Sequence, residues 1–62
     1  MEYVVYTHTH PHDVYETTSI WAAYEHAQEL VEDGHEPVIE RYGASVAIYS
    51  WTSFHALVHG DR

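Results

Sequence analysis

The spacing of hydrophobic residues divides the chain into strand-like and helix-like segments. Residues 2–9 are rich in β-branched and aromatic side chains, which predicts a strand. Pro11 ends this strand because proline has no N–H to donate to a sheet. Apolar side chains fall on both faces of the strand. We therefore expect it to lie inside a sheet rather than at a solvated edge.

A continuous apolar stripe predicts a helix that ends at about Asp33. Its members recur at helical spacing: Ile20, Ala23, Tyr24, Ala27, Leu30 and Val31. Thr17, Thr18 or Ser19 can cap the N-terminus, since a hydroxyl there accepts a free backbone N–H. Gly34 is suited to the position that follows the last turn. This is the clearest element in the sequence.

Two further strands and an ambiguous tail follow the helix. Strands are predicted over residues 38–42 and 45–51, with a turn at Gly43 and Ala44 between them. In residues 52–59 the apolar positions fit either a strand or a helix. As a helix, this tail would place His55 and His59 one turn apart and would end at Gly60. A short strand or irregular tail is the interpretation that we favour.

These elements predict a single α+β domain over residues 1–62. The expected order is β-α-β-β, with one helix packed on a three- or four-stranded mixed sheet. A right-handed crossover would make the first two strands parallel. One helix covers only one face, so Tyr6, Tyr49 and Trp51 are predicted to line the open face as a partner-binding surface. The alternative is that these aromatic side chains complete a compact core.

Size and composition favour a folded chain that needs further support. A chain of 62 residues buries only about 60% of its unfolded surface, and this one has no cysteine for disulfides. Apolar residues make up 45% of it, which is too many for a disordered acidic tail. A bound metal ion, or self-association as a homo-oligomer, would add stability to the folded state. The first residues lack a basic leader, and no apolar run approaches the ~20 residues of a membrane span, so we expect a cytoplasmic protein without membrane contact.

The charge balance points to a basic protein partner. Ten carboxylates face only two arginines, Arg41 and Arg62, which give a formal net charge of −8. Binding nucleic acid directly would require more cations. The carboxylates predicted to form a partner-binding stripe are Glu25, Glu29, Glu32, Asp33, Glu36 and Glu40. Such a stripe could mimic the phosphates of a nucleic acid in a basic groove, or it could serve solubility alone.

Histidines are concentrated in the segment that follows the first strand. His8 and His10 would project from one face of that strand, and His12 or Asp13 could supply a third ligand to zinc or nickel. The segment resembles the HxH of amidohydrolases and related phosphoesterases, and the HxHxDH of metallo-β-lactamase-type hydrolases with its last two residues reversed. The resemblance covers six residues and implies no catalytic role. A solvated polar loop is the interpretation that we favour for this segment, with the metal site as the alternative.

No motif of an enzyme is present in the sequence. No serine lies in a nucleophile elbow, and three glycines do not make a phosphate-binding loop. In size, acidity and lack of lysine, the chain resembles the small orphan proteins of actinobacterial phages. That resemblance implies binding and inhibition of a host protein, and it transfers no functional residues. We therefore expect a small, acidic, non-enzymatic protein-binding module, with a histidine metal-binding module and a nucleic-acid mimic as alternatives.

Overall fold

The computed structural model describes residues 1–60, which form four strands and two helices. The elements are β1 (Glu2–Thr7), β2 (Tyr15–Thr17), α1 (Ile20–Glu32), β3 (Pro37–Tyr42), β4 (Ala47–Ser50) and α2 (Trp51–His59). The predicted α+β class is confirmed. Within residues 1–60, neither helix has the length and apolar character needed to cross a membrane.

The four strands form one antiparallel sheet in the order β2-β1-β3-β4. The predicted parallel pairing of the first two long strands, and with it the mixed sheet, is wrong. The three-residue strand β2, which the sequence analysis missed, reverses the chain before α1 begins. The crossover through α1 therefore joins β2 to β3, and these two run parallel on either side of β1.

Helix α1 has the extent and the ends that its sequence predicts. The Ser19 hydroxyl oxygen accepts a hydrogen bond from the backbone N–H of Ala22, at 3.3 Å, and caps the N-terminus. Asp33 is the C-terminal cap residue, and Gly34 follows it at a φ of +87°, a conformation that favours glycine. Ala23 and Ala27 are fully buried, so α1 packs closely on the sheet.

The tail of the chain is helix α2, and the favoured interpretation of a strand or irregular tail is wrong. The Ser50 hydroxyl oxygen accepts the backbone N–H of Ser53 and begins the helix, while Gly60 ends it at a φ of +65°. Phe54 and Val58, four residues apart, face the core together. The spacing of apolar residues in this segment fits both a strand and a helix. Burial of Phe54 against the sheet is the contact that favours the helix.

Both helices lie on the same face of the sheet. The buried hydrophobic residues between the two layers are Tyr3, Val5, Ala23, Tyr24, Ala27, Ile39 and Phe54. Tyr3 and Val5 alternate with the side chains of β1 that point away from the helices. The opposite face of the sheet is therefore left uncovered by any element of residues 1–60.

Two of the three aromatic residues predicted for the open face lie on the helix side. Tyr49 pairs with buried Ile39, and its ring centroid lies 5.8 Å from that of Phe54. Trp51 is the first residue of α2 and stacks on Tyr24, with ring centroids 5.2 Å apart. The prediction that Tyr49 and Trp51 line the open face is therefore wrong, because both side chains pack against the helices.

We predict that Phe54→Ala destabilises the protein by about 3–5 kcal/mol, because the substitution leaves a cavity under α2. Phe54 has 0% exposure, whereas Leu57 on the same helix is 46% exposed. Leu57→Ala is therefore the matched control, and we expect it to cost less than about 1 kcal/mol. Urea unfolding followed by circular dichroism measures both values. Equal losses in the two variants would contradict the packing described for α2.

Candidate functional site

On the face of the sheet that lies opposite the helices, apolar side chains surround the central carboxylate of Glu40, and strand alternation also places Glu2 and Glu16 on this face. We call the central part of this surface the open sheet face, and its residues are Val4, Tyr6, Val38, Glu40, Tyr42 and Ile48. Glu40 in β3 lies between Val4 on one neighbouring strand and Ile48 on the other. Ile48 is 68% exposed and Tyr42 is 40% exposed, so a large part of this apolar surface faces solvent.

Two tyrosine side chains hold the Glu40 carboxylate in place. The phenol of Tyr6 donates to Oε2, and the phenol of Tyr42 donates to Oε1. Tyr42 lies two residues further along β3 and so shares its face with Glu40, while Tyr6 is a diagonal neighbour on β1. Both oxygens of the carboxylate are therefore fixed by groups from the sheet itself.

These hydrogen bonds keep Glu40 ionised and both phenols protonated. The bonds from Tyr42 and then Tyr6 lower the pKa of Glu40, since they favour its charged form. The same bonds raise the pKa of Tyr6 and of Tyr42, because a phenolate beside the carboxylate would lose the bond and be repelled. The open sheet face thus presents a fixed negative charge at neutral pH.

The neighbouring arginine turns away from this charge. Arg41 follows Glu40 in β3, so strand alternation places its side chain on the helix side. There its guanidinium donates to the Tyr49 hydroxyl, at 3.2 Å, and to the Ser45 hydroxyl, at 3.3 Å. Arg41 therefore leaves Glu40 accessible to a cation from outside the chain.

We predict that Glu40→Gln lets two tyrosines ionise at lower pH than in the wild-type protein. The phenols of Tyr6 and Tyr42 lose a charged acceptor, so their pKa values fall toward the ordinary 10.0. Absorbance of tyrosinate during an alkaline titration measures the change. Glu16→Gln removes the same charge from β2 and should leave the titration unaltered. A curve for Glu40→Gln that matches the wild type would refute the Glu40 contacts.

The lowered pKa of Glu40 also makes the stability of the fold depend on pH in the acid range. Because the pKa of folded Glu40 lies below the ordinary 4.5, its hydrogen bonds stabilise the fold fully above that pH. The contribution is lost as the pH falls through the lowered pKa. The stability difference between wild type and Glu40→Gln should therefore shrink in that range.

Three of the predicted stripe residues line a groove on α1. Glu25, Glu29 and Glu32 border an open groove of about 460 Å³. Tyr15 and His26 also line it, and their rings stack with centroids 4.3 Å apart and planes 13° apart. This groove is a concentrated negative surface on the helix side of the molecule.

The other stripe residues lie elsewhere, so the six carboxylates do not form one surface. Asp33 is the cap residue of α1, and Glu36 lines a separate pocket with His8 beside β4. Glu40 lies on the opposite side of the sheet from α1. The cause is strand alternation: Ile39 is buried under the helices, which sends Glu40 to the open sheet face.

The structure does not bring His8, His10 and His12 together around one point. His10 lies near His35, with ring centroids 6.0 Å apart, and both line a pocket of about 210 Å³. His8 lines the different pocket beside Glu36. Within residues 1–60, no three or more histidine, aspartate or glutamate side chains are placed to hold a metal ion.

Sequence reasoning named two members of the open sheet face and missed the others. Tyr6 and Glu40 were both predicted as partner-binding residues, and the structure places them in contact. Tyr42 was missed, although its spacing of two from Glu40 in a predicted strand was a usable signal. Val38 and Ile48 were missed because the sequence does not state which face of the sheet the helices cover.

The comparisons with known proteins add no functional information. No protein-family model, curated protein or solved structure matches this chain.

Proposed function

We propose that this protein is a small, non-enzymatic, cytoplasmic module that binds a protein partner through the open sheet face. The observation that carries this proposal is the Glu40 carboxylate, held by Tyr6 and Tyr42 in the middle of an uncovered apolar surface. A charge that is already fixed in place loses little freedom when a partner binds. Tyrosines at the centre of such a patch are typical of residues that dominate binding energy.

The chemistry of the open sheet face fits a partner that presents an arginine amid apolar side chains. A carboxylate offers about four lone-pair sites, and the two phenols occupy only two of them. A guanidinium can pair with the remaining sites and lie against the aromatic rings of Tyr6 or Tyr42. Val4, Val38 and Ile48 would exclude water from that pair and so strengthen it.

Overall charge supports a basic partner at longer range. A net charge of −8 attracts a positively charged protein before contact and makes the association rate depend on salt. The resemblance to small host-interaction proteins of actinobacterial phages supports a host protein as that partner, with inhibition as the outcome.

We predict that Glu40→Lys weakens binding of the partner by at least about tenfold, a loss of about 1.4 kcal/mol or more. The partner is first captured on the immobilised wild-type protein, then purified and titrated against each variant by calorimetry. Glu29→Lys is the matched control, because it makes the same change of charge in the α1 groove. We expect that control to alter affinity by less than about threefold, as a peripheral charge does.

The reverse result would locate the partner on the helix side. If Glu29→Lys loses affinity and Glu40→Lys does not, a basic groove of the partner contacts the acidic groove on α1. The protein would then act as a nucleic-acid mimic, and the proposal for the open sheet face would be refuted.

We also propose that the protein self-associates through β4. This strand lies at one edge of the sheet, and no other strand of residues 1–60 pairs with its outer side, so a strand of a second chain can pair there. Residues 44–50 contain no charged side chain, and Val46 beside the strand is 62% exposed. Natural edge strands usually carry charges or proline against such pairing. Two β4 strands joined antiparallel would make one continuous sheet.

We predict that the wild-type protein shows a concentration-dependent dimer in analytical ultracentrifugation and that Val46→Lys shifts it toward the monomer. Two lysines near the axis of the pair would repel each other. Val14→Lys is the control, since Val14 is also exposed, at 43%, but lies away from β4. A wild-type monomer at every concentration, or equal shifts in both variants, would contradict pairing through β4.

A further inference from the structure

Helix α2 places two histidines side by side next to two aromatic rings. His55 and His59 are one helical turn apart, and their ring centroids lie 4.3 Å apart with planes tilted by 30°. We call these two residues the α2 histidine pair. The pair lies in the helix layer, on the opposite side of the sheet from Glu40, so it has no part in the proposed open-face contact.

Neighbouring side chains from α1 and α2 hold the pair in place. Tyr24 is buried, and its hydroxyl oxygen lies 2.9 Å from Nε2 of His59, within hydrogen-bond distance. The ring of Trp51 contacts His55 edge-on, with centroids 5.5 Å apart. His55 is half-buried and His59 is exposed, so the pair is ordered by its neighbours and still reachable from solvent.

We propose that the α2 histidine pair binds a divalent transition-metal ion, with one imidazole nitrogen from each ring and solvent in the other positions. Histidines at i and i+4 on one helix face are the spacing used by helices that hold zinc. Imidazole suits copper, nickel and zinc, whereas calcium and magnesium prefer oxygen ligands. We therefore expect the site to bind copper(II) most tightly, and zinc and nickel less tightly.

Two further features of the helix favour this site over the histidines near the start of the chain. His59 lies in the last turn of α2, where the helix dipole favours a positive charge. The helical backbone also fixes the separation of the two rings before the metal arrives, so little freedom is lost on binding. His8, His10 and His12 lie at and beyond the end of β1, without that support.

Fluorescence of the full-length protein tests the site directly. Because Trp51 lies beside His55, a bound copper(II) ion should quench its emission in a saturable manner. We expect a stoichiometry of one ion per chain, reversal by EDTA and no response to magnesium. His55→Gln and His59→Gln should each weaken binding at least about tenfold, since even outer-shell changes cost roughly 10–100-fold.

The matched control changes histidines outside α2. A variant with His8, His10 and His12 all replaced by Gln should bind copper with wild-type affinity. Loss of binding in that control, with full binding by His55→Gln and His59→Gln, would overturn the assignment. Absence of saturable quenching in the wild-type protein would also overturn it.

A measurement on the wild-type chain guards against variants that fail to fold. Paramagnetic nickel should broaden the imidazole proton resonances of His55 and His59 before those of the other five histidines. Broadening that begins at other histidines would refute the site. Since metal and partner use opposite sides of the sheet, neither result depends on whether Glu40 binds a protein.

Discussion

The burial of Phe54 between α2 and the sheet is the contact on which the remaining arrangement depends. Its ring is fully buried, with centroids 6.2 Å from Tyr3 and 5.8 Å from Tyr49. This contact draws α2 onto the face that α1 already covers, because a chain of 62 residues supports only one well-filled apolar layer. With both helices on one side, no element within residues 1–60 remains to cover the other side. The open sheet face is thus a consequence of how the core is filled.

An uncovered sheet face explains why Glu40 can be both ordered and reachable. Its carboxylate is fixed by two phenols that belong to the same face, so its order needs no contribution from the core. Arg41, the cation next to Glu40 in β3, donates instead to Tyr49 and Ser45 on the helix side. A charge that is fixed but not neutralised within its strand is suited to a cationic group on another molecule.

The two sides of the sheet differ in chemistry, which separates the proposed functions in space. The open sheet face combines apolar side chains with the oriented carboxylate of Glu40, and Glu2 and Glu16 lie on the same side of the sheet. The helix side carries the acidic groove along α1 and the α2 histidine pair, beside a cluster of aromatic rings. The net charge of −8 is therefore distributed over two surfaces on opposite sides of the sheet. One binding surface of a partner cannot contact both. A substitution on one side of the sheet therefore tests that surface and leaves the other surface unchanged.

By itself the sequence determined the elements whose signals are local. Helix α1 follows from a long apolar stripe between Ser19 and Gly34, and the α+β class follows from that helix among β-rich segments. The tertiary structure alone decided the antiparallel sheet order, since β2 has three residues, which is too few for a recognisable period. It also decided that residues 51–59 are helical, because their apolar spacing fits both periods and only the burial of Phe54 separates them. Alternation along a strand defines two faces but does not say which one the helices cover. The packing of Phe54 decides this, so that Tyr49 faces the helices and Glu40 faces away from them.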